Sequence, residues 1–308
     1  MLRYVLYRLL ASIPVIIGVT LLVFLLVRLV PGDPIQIMFG NQSKPSPEQV
    51  AKMRHQLGLD LPIYEQYGKF MWDAVHGNLG VSYRSQQPVA TEIVQALPNT
   101  IKLTVASLIF AMILGVGAGI LSATFKGSII DTLSMLIAIL GVSIPGFWLG
   151  LMVILLFAVH LGWFPASGAG SFKNLILPAF TLGVLASAIL ARITRAAMLD
   201  ALNQDYVRTA RAKGVSAFFV VVRHALRNAL IPIVTILGLQ VGGLLSGAFI
   251  IESVFAYPGV GLLAVTALQT RDFPIIQGDV LLVALIYVFV NLIVDVLYAS
   301  IDPRVSYH

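Results

Sequence analysis

"YVRTARAKGVSAFFVVVRHALRNALIP", residues Tyr206–Pro232, sets Arg208, Arg211, Lys213, Arg223 and Arg227 between two long uncharged runs. The surrounding chain of 308 residues is 58% hydrophobic and only 11% charged. Soluble domains carry about 25% charged residues. So little charge leaves too little polar surface to coat a globule in water, and part of the solvent must be lipid. In such a chain a dense basic stretch marks a loop held on the cytoplasmic side, because Lys and Arg in short loops set membrane orientation. The stretch thus indicates an all-α polytopic membrane protein with a basic inner loop.

The remaining spans follow outward from that loop. A transmembrane helix needs roughly 20 apolar residues. Upstream, the uncharged run Asn174–Ala191 opens a span at about 174–198; downstream, Asn228–Ile251 supplies one at about 228–251. Leu103–Phe125, between Lys102 and Lys126, lies in a span at about 99–125. The uncharged run Thr132–Phe172 is too long for one crossing, and "HLGWFPASG" (His160–Gly168) interrupts it, leaving a helix at about 132–159. A last span at about 280–301 contains Asp295, and Leu9–Val27 between Arg8 and Arg28 supplies the first. Six spans are expected. The first exceeds the 7–15 apolar residues of a signal peptide and lacks a small-x-small site before Arg28, so it reads as a retained helix.

With the N-terminus inside, Arg3, Arg8, Lys126, the basic residues from Arg192 to Arg227, and Arg304 are all cytoplasmic. The outer loop 160–174 then holds only Lys173, and loop 253–279 only Arg271. Both termini are therefore expected in the cytoplasm, and the net charge of +6 reads as an inside-facing signature, not as a nucleic-acid surface. Cysteine is absent, which excludes disulfides and thiolate metal sites.

The sequence divides into an N-terminal span (1–30), an extracytoplasmic helical subdomain (31–94), a transmembrane core (95–298) that includes a cytoplasmic loop (199–227), and a tail (299–308). In the subdomain, "PSPEQVAKMRHQLGLD" starts a helix with Ser46 as cap, Pro47 at the first position and Gly58 as stop. The stretch from Pro62 to Gly77 repeats that grammar, with Ile63, Tyr67, Phe70, Met71 and Ala74 at helical spacing. These two helices read as lying on the outer membrane surface, with docking of an external partner as the second reading. In the core, Gly115, Gly117 and Gly119, and the glycines of "LGLQVGGLLSG" (Leu237–Gly247), are expected at close helix contacts.

Machinery for independent work is missing. There is no G-x-x-x-x-G-K-[ST] loop, no HExxH and no G-x-S-x-G elbow. The spans offer essentially one ionisable group, Asp295, which either pairs with an inner-loop arginine or lines a pathway. A channel or gradient-driven carrier would act alone, and a membrane enzyme would need a catalytic cluster at bilayer depth that is not legible here. In the quoted loop, Asn203 or Asp205 can cap a short helix that Gly214 stops. Tyr206, Val207, Ala210 and Gly214 share one side of it, beside a basic one. Phe218–Val222 then seats in the interface. Anionic headgroups explain the arginines, but a compact helix between two membrane-anchored flanks suits insertion into a groove on another protein.

At these residues the chain resembles the permeases of ABC importers, specifically the dipeptide, oligopeptide and glutathione class. Their cytoplasmic signature is E-A-A-x-x-x-G followed by I-x-L-P. Here Arg208, Thr209 and Ala210 occupy the E-A-A places, and Pro232 lies farther from Gly214 than the general pattern specifies; the peptide class commonly has "YVRTARAKG" with the longer spacing. The resemblance extends through "VPGDP" (Val30–Pro34), "LGLDLPIYEQY" (Leu57–Tyr67), "GNLGVS" (Gly77–Ser82) and "GVSIPGFWLGL" (Gly141–Leu151). It continues in "ESVFAYPGVG" (Glu252–Gly261), "RDFPIIQG" (Arg271–Gly278) and "VDVLYASIDPRV" (Val294–Val305).

The resemblance implies a type I ABC importer permease fold in the inner membrane of a bacterial or archaeal cell. Its implied partners are a second homologous permease subunit, two cytoplasmic ATPases that bind ATP and Mg, and an extracytoplasmic solute-binding protein. This chain would bind no cofactor and catalyse nothing. By the same resemblance, Asp205, Tyr206, Val207, Arg208, Thr209, Ala210, Arg211, Ala212, Lys213 and Gly214 would form the coupling helix that contacts an ATPase. Ser143, Pro145, Gln240 and Asp295 are the candidates for the pathway, with kinking as the second reading for Pro145 and interhelical adhesion for Gln240. Dipeptides, oligopeptides, glutathione and nickel chelates are the substrates such permeases serve.

Overall fold

The computed structural model describes residues 2–29, 35, 46–56 and 58–301, with side chains described over 7–29, 35, 46–55 and 58–293. The chain is helical and forms two compact units, Met1–Pro98 with Gly259–Phe289, and Asn99–Pro258 with Val290–His308. The whole of the quoted segment 30–34, residue 57 at the start of another and residues 302–305 at the end of a third lie outside the described residues.

In the first unit, α1 is Leu2–Leu29, α2 is Pro47–Gln56 and α3 is Ile63–Val75. The grammar expected for α2 is present. The Ser46 hydroxyl accepts from Gln49 N at 3.3 Å and the Gln49 side-chain oxygen accepts from Ser46 N at 2.9 Å, a reciprocal cap. Gly58 and Gly77 adopt φ of 65° and 81° just beyond α2 and α3. α3 packs on the second half of α1. Thr20 and Tyr67 share a hydrogen bond at 2.9 Å, Tyr67 sits edge-on to Phe24, and Arg28 lies 3.3 Å from the centroid of the Phe24 ring. Ile63, expected on the packed side, is exposed. A second cluster gathers Val27, Val89, Ile93, Ala267, Phe273 and Ile276. Loop 253–279, read as plain loop, carries a helix, α10, Val260–Thr270.

The second unit is built around α7, Phe172–Leu202, capped reciprocally by Ser171 and Asn174. Helix α4, Val89–Thr124, enters this unit at Asn99 and packs on α7 from there on, with its turn at Met112–Val116 widened to π geometry. A Cβ on Gly119 would stand 2.5 Å from Thr194 Cβ and 2.7 Å from Ala191 O, and one on Gly115 2.7 Å from Ser187 O. One on Gly183 of α7 would stand 2.5 Å from Phe110 Cβ. Both helices therefore contribute glycine so that their backbones meet. Gly117 faces away, with nothing within 4 Å.

α9, Ala217–Val254, also packs on α7, and α11 is Phe273–Ile301. The helix expected at 132–159 is broken, beyond the kink that Pro145 alone suggests. α5, Ile129–Ser143, and α6, Gly146–His160, meet at 108°. The cause is local: Pro145 pushes its predecessor out of the helical region, and Ile144 and Pro145 are both extended, with ψ of 127° and 132°. A kink needs one residue to bend; two successive extended residues turn the chain. Five helices are long and apolar enough to cross a membrane, and the bent pair makes a sixth when counted as one span.

Candidate functional site

The helix expected in the basic loop is α8, Asp205–Ala212. Eight residues make a rod about 12 Å long. Its N-cap is Gln204, not Asn203 or Asp205, and the Gln204 side chain makes no capping bond. Two backbone bonds to Gln204 O, from Val207 N at 3.1 Å and Arg208 N at 3.4 Å, close that end instead. Asp205 is the first helical residue, where its charge suits the positive end of the helix dipole.

The C-terminal end is firmly closed. Gly214 N donates to Arg211 O at 3.0 Å and Val215 N to Ala210 O at 3.2 Å, with Gly214 at φ 78°. This is a Schellman stop, completed by contact of Val215 with the apolar side of the helix. A Cβ on Gly214 would meet nothing within 4 Å, so glycine is required there by backbone angle and not by space.

Val207 and Ala210 are buried against Val220 of α9, with Leu202 of α7 and Val215 around them. The rod is thereby seated at the junction of two long apolar helices. Tyr206, expected on that buried side, is exposed, as are Asp205, Arg208, Thr209, Arg211, Ala212, Lys213 and Gly214. Val220, expected in the interface with its neighbours, is buried, while Phe218 and Phe219 are exposed. Arg208 approaches Asp205 at 3.5 Å, an exposed pair worth little. The outward surface is thus polar and predominantly cationic on a base of two small apolar contacts.

The other candidates are scattered by comparison. Ser143 closes α5, its hydroxyl donating to Ile139 O at 3.1 Å, and Pro145 forms the break after it. Gln240 Nε2 donates to Ala186 O at 2.8 Å and so ties α9 to α7. Asp295 lies in α11, beyond the residues whose side chains are described. Among the described residues no hydrogen bond joins Ser143 to Gln240.

Asp295 is also not the only acid on the long helices. Glu252 is fully buried near the end of α9 and accepts from Thr100 Oγ1 at 2.6 Å; Asp279 of α11 and Asp131 of α5 are buried too. The apolar-run criterion ends each span one residue short of Glu252 and Asp279, because it treats a charge as a boundary. Asp272 is a further buried hub, accepting from Ser82 Oγ at 2.6 Å, Tyr83 N at 3.1 Å and Arg84 N at 3.2 Å. Among the described residues no group of three or more His, Asp or Glu is placed to hold a metal.

The chain matches the family described as binding-protein-dependent transport system inner membrane component over residues 115–307, and that family's N-terminal region over residues 1–104. It is similar to the glutathione transport system permease protein GsiC of Escherichia coli (strain K12), 47% identical over 307 residues covering 100% of both chains. The corresponding protein of Shigella boydii serotype 4 is 46% identical over the same coverage. In fold it is similar to a chain of the MetNI methionine ABC transporter in an inward-facing conformation, with a TM-score of 0.58 and 21% identity over 68% of this chain and 96% of that one. With a family model matched over residues 115–307 and relatives 47% identical over the whole length, the chain belongs to the family of inner membrane permease components of binding-protein-dependent ABC importers.

Proposed function

We propose that this permease forms half of a pathway for glutathione or another short peptide, paired with a homologous second permease, and that α8 with Gly214 is the element each ATPase cycle displaces. The chain is a multi-pass inner membrane component and not an enzyme; ATP hydrolysis resides on separate subunits and solute capture on a binding protein. The substrate class is supported by the relatives at 47% identity, which are glutathione transport permeases. Both termini are assigned to the cytoplasm by the distribution of Lys and Arg.

One observation carries the coupling role. A stiff, doubly closed rod with a cationic exposed surface is anchored through Val207 and Ala210 at the junction of two apolar helices. A partner that grips such a rod differently in two nucleotide states biases the helices attached to it, which is what coupling requires. Ser143, Pro145, Gln240 and Asp295 remain the pathway candidates. The break at Ser143–Pro145 leaves backbone carbonyls free of helix bonds, a state tolerated at membrane depth only where protein or a water-filled cavity receives them.

Reconstitution tests the assignment. This chain alone in liposomes is expected to move no reduced glutathione. Addition of the second permease, the ATPases and a loaded binding protein is expected to give ATP-dependent uptake. Uptake by the chain alone under an ion gradient would refute the assignment.

A further inference from the structure

Along the chain only Asn203 and Gln204 separate α7 from the coupling rod, and that junction is hydrogen-bonded, Asn203 N donating to Leu199 O at 3.2 Å and Gln204 N to Ala201 O at 3.3 Å. Displacement of α8 is therefore delivered to the end of α7 with little slack. Seven residues back along α7, about 10 Å, Arg195 extends its guanidinium to Asp131 in the first turn of α5. Nε donates to Asp131 Oδ1 at 2.8 Å and Nη2 to Asp131 Oδ2 at 2.8 Å, a forked pair. Arg195 Nε also donates to Ser122 Oγ of α4 at 2.9 Å, and the Ser122 hydroxyl donates to the same carboxylate. Gly127 N donates to Asp131 Oδ2 at 2.9 Å, and Ser128 caps α5 by accepting from Asp131 N at 3.3 Å. The Asp131 side chain is 8% exposed and that of Arg195 28%.

We propose that Arg195 is a positioning residue for transport, a clamp that makes α4 and α5 follow the displacement that the coupling rod imposes on α7. This rests on the assignment of α8 as the coupling rod. Small residues let the three helices slide past one another as readily as they let them pack: Ala138 of α5 meets Ala188 and Ala191 of α7, and Gly141 would place a Cβ 3.4 Å from that of Ala188. Met135 of α5 also packs into this seam, but its contact is flexible and non-directional, so the seam resists separation more than sliding. The Arg195 fork supplies the missing constraint. Two parallel donor–acceptor bonds fix orientation as well as distance, and a lysine at the same place would supply charge without the fork. The chain of attachment thus runs from Gly214 through α8, α7 and Arg195 to α5, and so to the break at Ser143–Pro145.

The test uses the assembled importer, with this chain labelled in pairs. This chain has no cysteine, so Ser216→Cys beside the rod and Ile129→Cys at the exposed start of α5 accept spin labels at two defined positions when the chain is labelled before assembly. In the wild-type background the interlabel distance is expected to be the same in nucleotide-free and ATP–vanadate-trapped complexes. In Arg195→Lys it is expected to shift between the two states, and uptake of reduced glutathione per ATP hydrolysed should fall about fivefold or more, with hydrolysis itself retained. Arg195→Gln, which strands a buried carboxylate, is a harsher variant, and the lysine variant keeps the test readable if it does not assemble. The same distance in both states of Arg195→Lys overturns the proposal, as does a distance that already shifts in the wild-type background. Absence of ATP-dependent uptake in the wild-type assembly counts against the transport assignment alone, since the spin-label distances do not depend on which solute is carried.

Discussion

Helices α1 and α7 are both long and apolar enough to cross a bilayer, yet they are used in opposite ways. Among the described side chains of α1 only Thr20, Phe24 and Val27 are buried. α7 buries residues along its whole length, from Leu177 to Ala201, and most of them are Ala, Gly, Thr or Leu. α1 is the greasier of the two, rich in Leu, Val and Ile. In water the greasier helix would be the buried one. In lipid, where hydrocarbon chains are as apolar as Leu, burial follows whichever helix lets a neighbour's backbone approach, and that is the one with small residues. Hydropathy therefore locates the spans, and small-residue spacing locates the core.

The largest expected effect tests that contrast directly. Gly119→Ala puts a methyl against Ala191 O and Thr194 Cβ, neither of which can swing aside, so α4 and α7 must separate. A loss of about 3 kcal/mol is expected, seen as a collapse of the thermal midpoint in detergent. Gly18→Ala in α1 and Gly117→Ala, two residues before Gly119 on the other side of α4, meet nothing within 4 Å. They should unfold at or slightly above the wild-type temperature. Equal destabilisation by all three would mean that the seam is not what holds the second unit.

The same glycines show where a linear reading of the residues stops. Small-residue spacing marks Gly115, Gly117 and Gly119 together as close-contact positions, but only the first and third meet α7, because their spacing of four places them one above the other. Choosing between them requires knowing which helix lies opposite. Short helices with their own punctuation are legible for a local reason: the Ser46–Pro47 start, the Gly58 and Gly77 stops and the Gly214 stop all appear in φ angles and caps. Forked side-chain pairs are not legible, since Asp131 and Arg195 are 64 residues apart in sequence and only tertiary packing joins them. The break at Pro145 is half legible. The proline is visible, but a 108° turn depends on Ile144 also leaving the helical region.

The next effect is smaller in stability and sharper in function. Gly214→Val forces a β-branched residue to φ near 78°, a cost of about 1–2 kcal/mol, in a position with no steric neighbours. The rod should fray at its Schellman end while α7 stays folded. The expected outcome is ATP hydrolysis without matching uptake, and Gly214→Asn, which tolerates the left-handed region, should restore most of it. Normal coupling in Gly214→Val would remove α8 from the transport cycle.

α1 supplies the third test, because its few contacts are concentrated near one end. Arg28 donates to Gln66 Oε1 through Nη2 at 2.6 Å and lies on the Phe24 ring, while Gln66 Nε2 donates to Leu61 O at 2.7 Å. Arg28→Ala should cost about 1–2 kcal/mol and loosen α3 alone. Hydrogen exchange is expected to quicken at α3 amides and stay unchanged in α7. Faster exchange in both would show that α1 supports the core after all.

The smallest effect lies outside the physiological range and probes the same end of α1 by titration. Burial and then the Asp272 carboxylate push the Tyr83 phenol up to about 12, while the Arg28 charge pulls the other way. An unfolded tyrosine titrates near pH 10. Between about pH 10 and 12 the folded chain therefore holds a proton that the unfolded chain has lost, so the stability that Tyr83 contributes is complete below that window and disappears as pH rises through it. Tyr83→Phe should flatten the decline in thermal midpoint across the window and leave the neutral-pH midpoint little changed. Arg28→Ala should shift the onset of phenolate absorbance upward, since it removes the one lowering influence. An onset that moves downward instead would mean that the Arg28 side chain acts mainly by excluding water from Tyr83, and α1 would then contribute to this unit by covering it more than by charge.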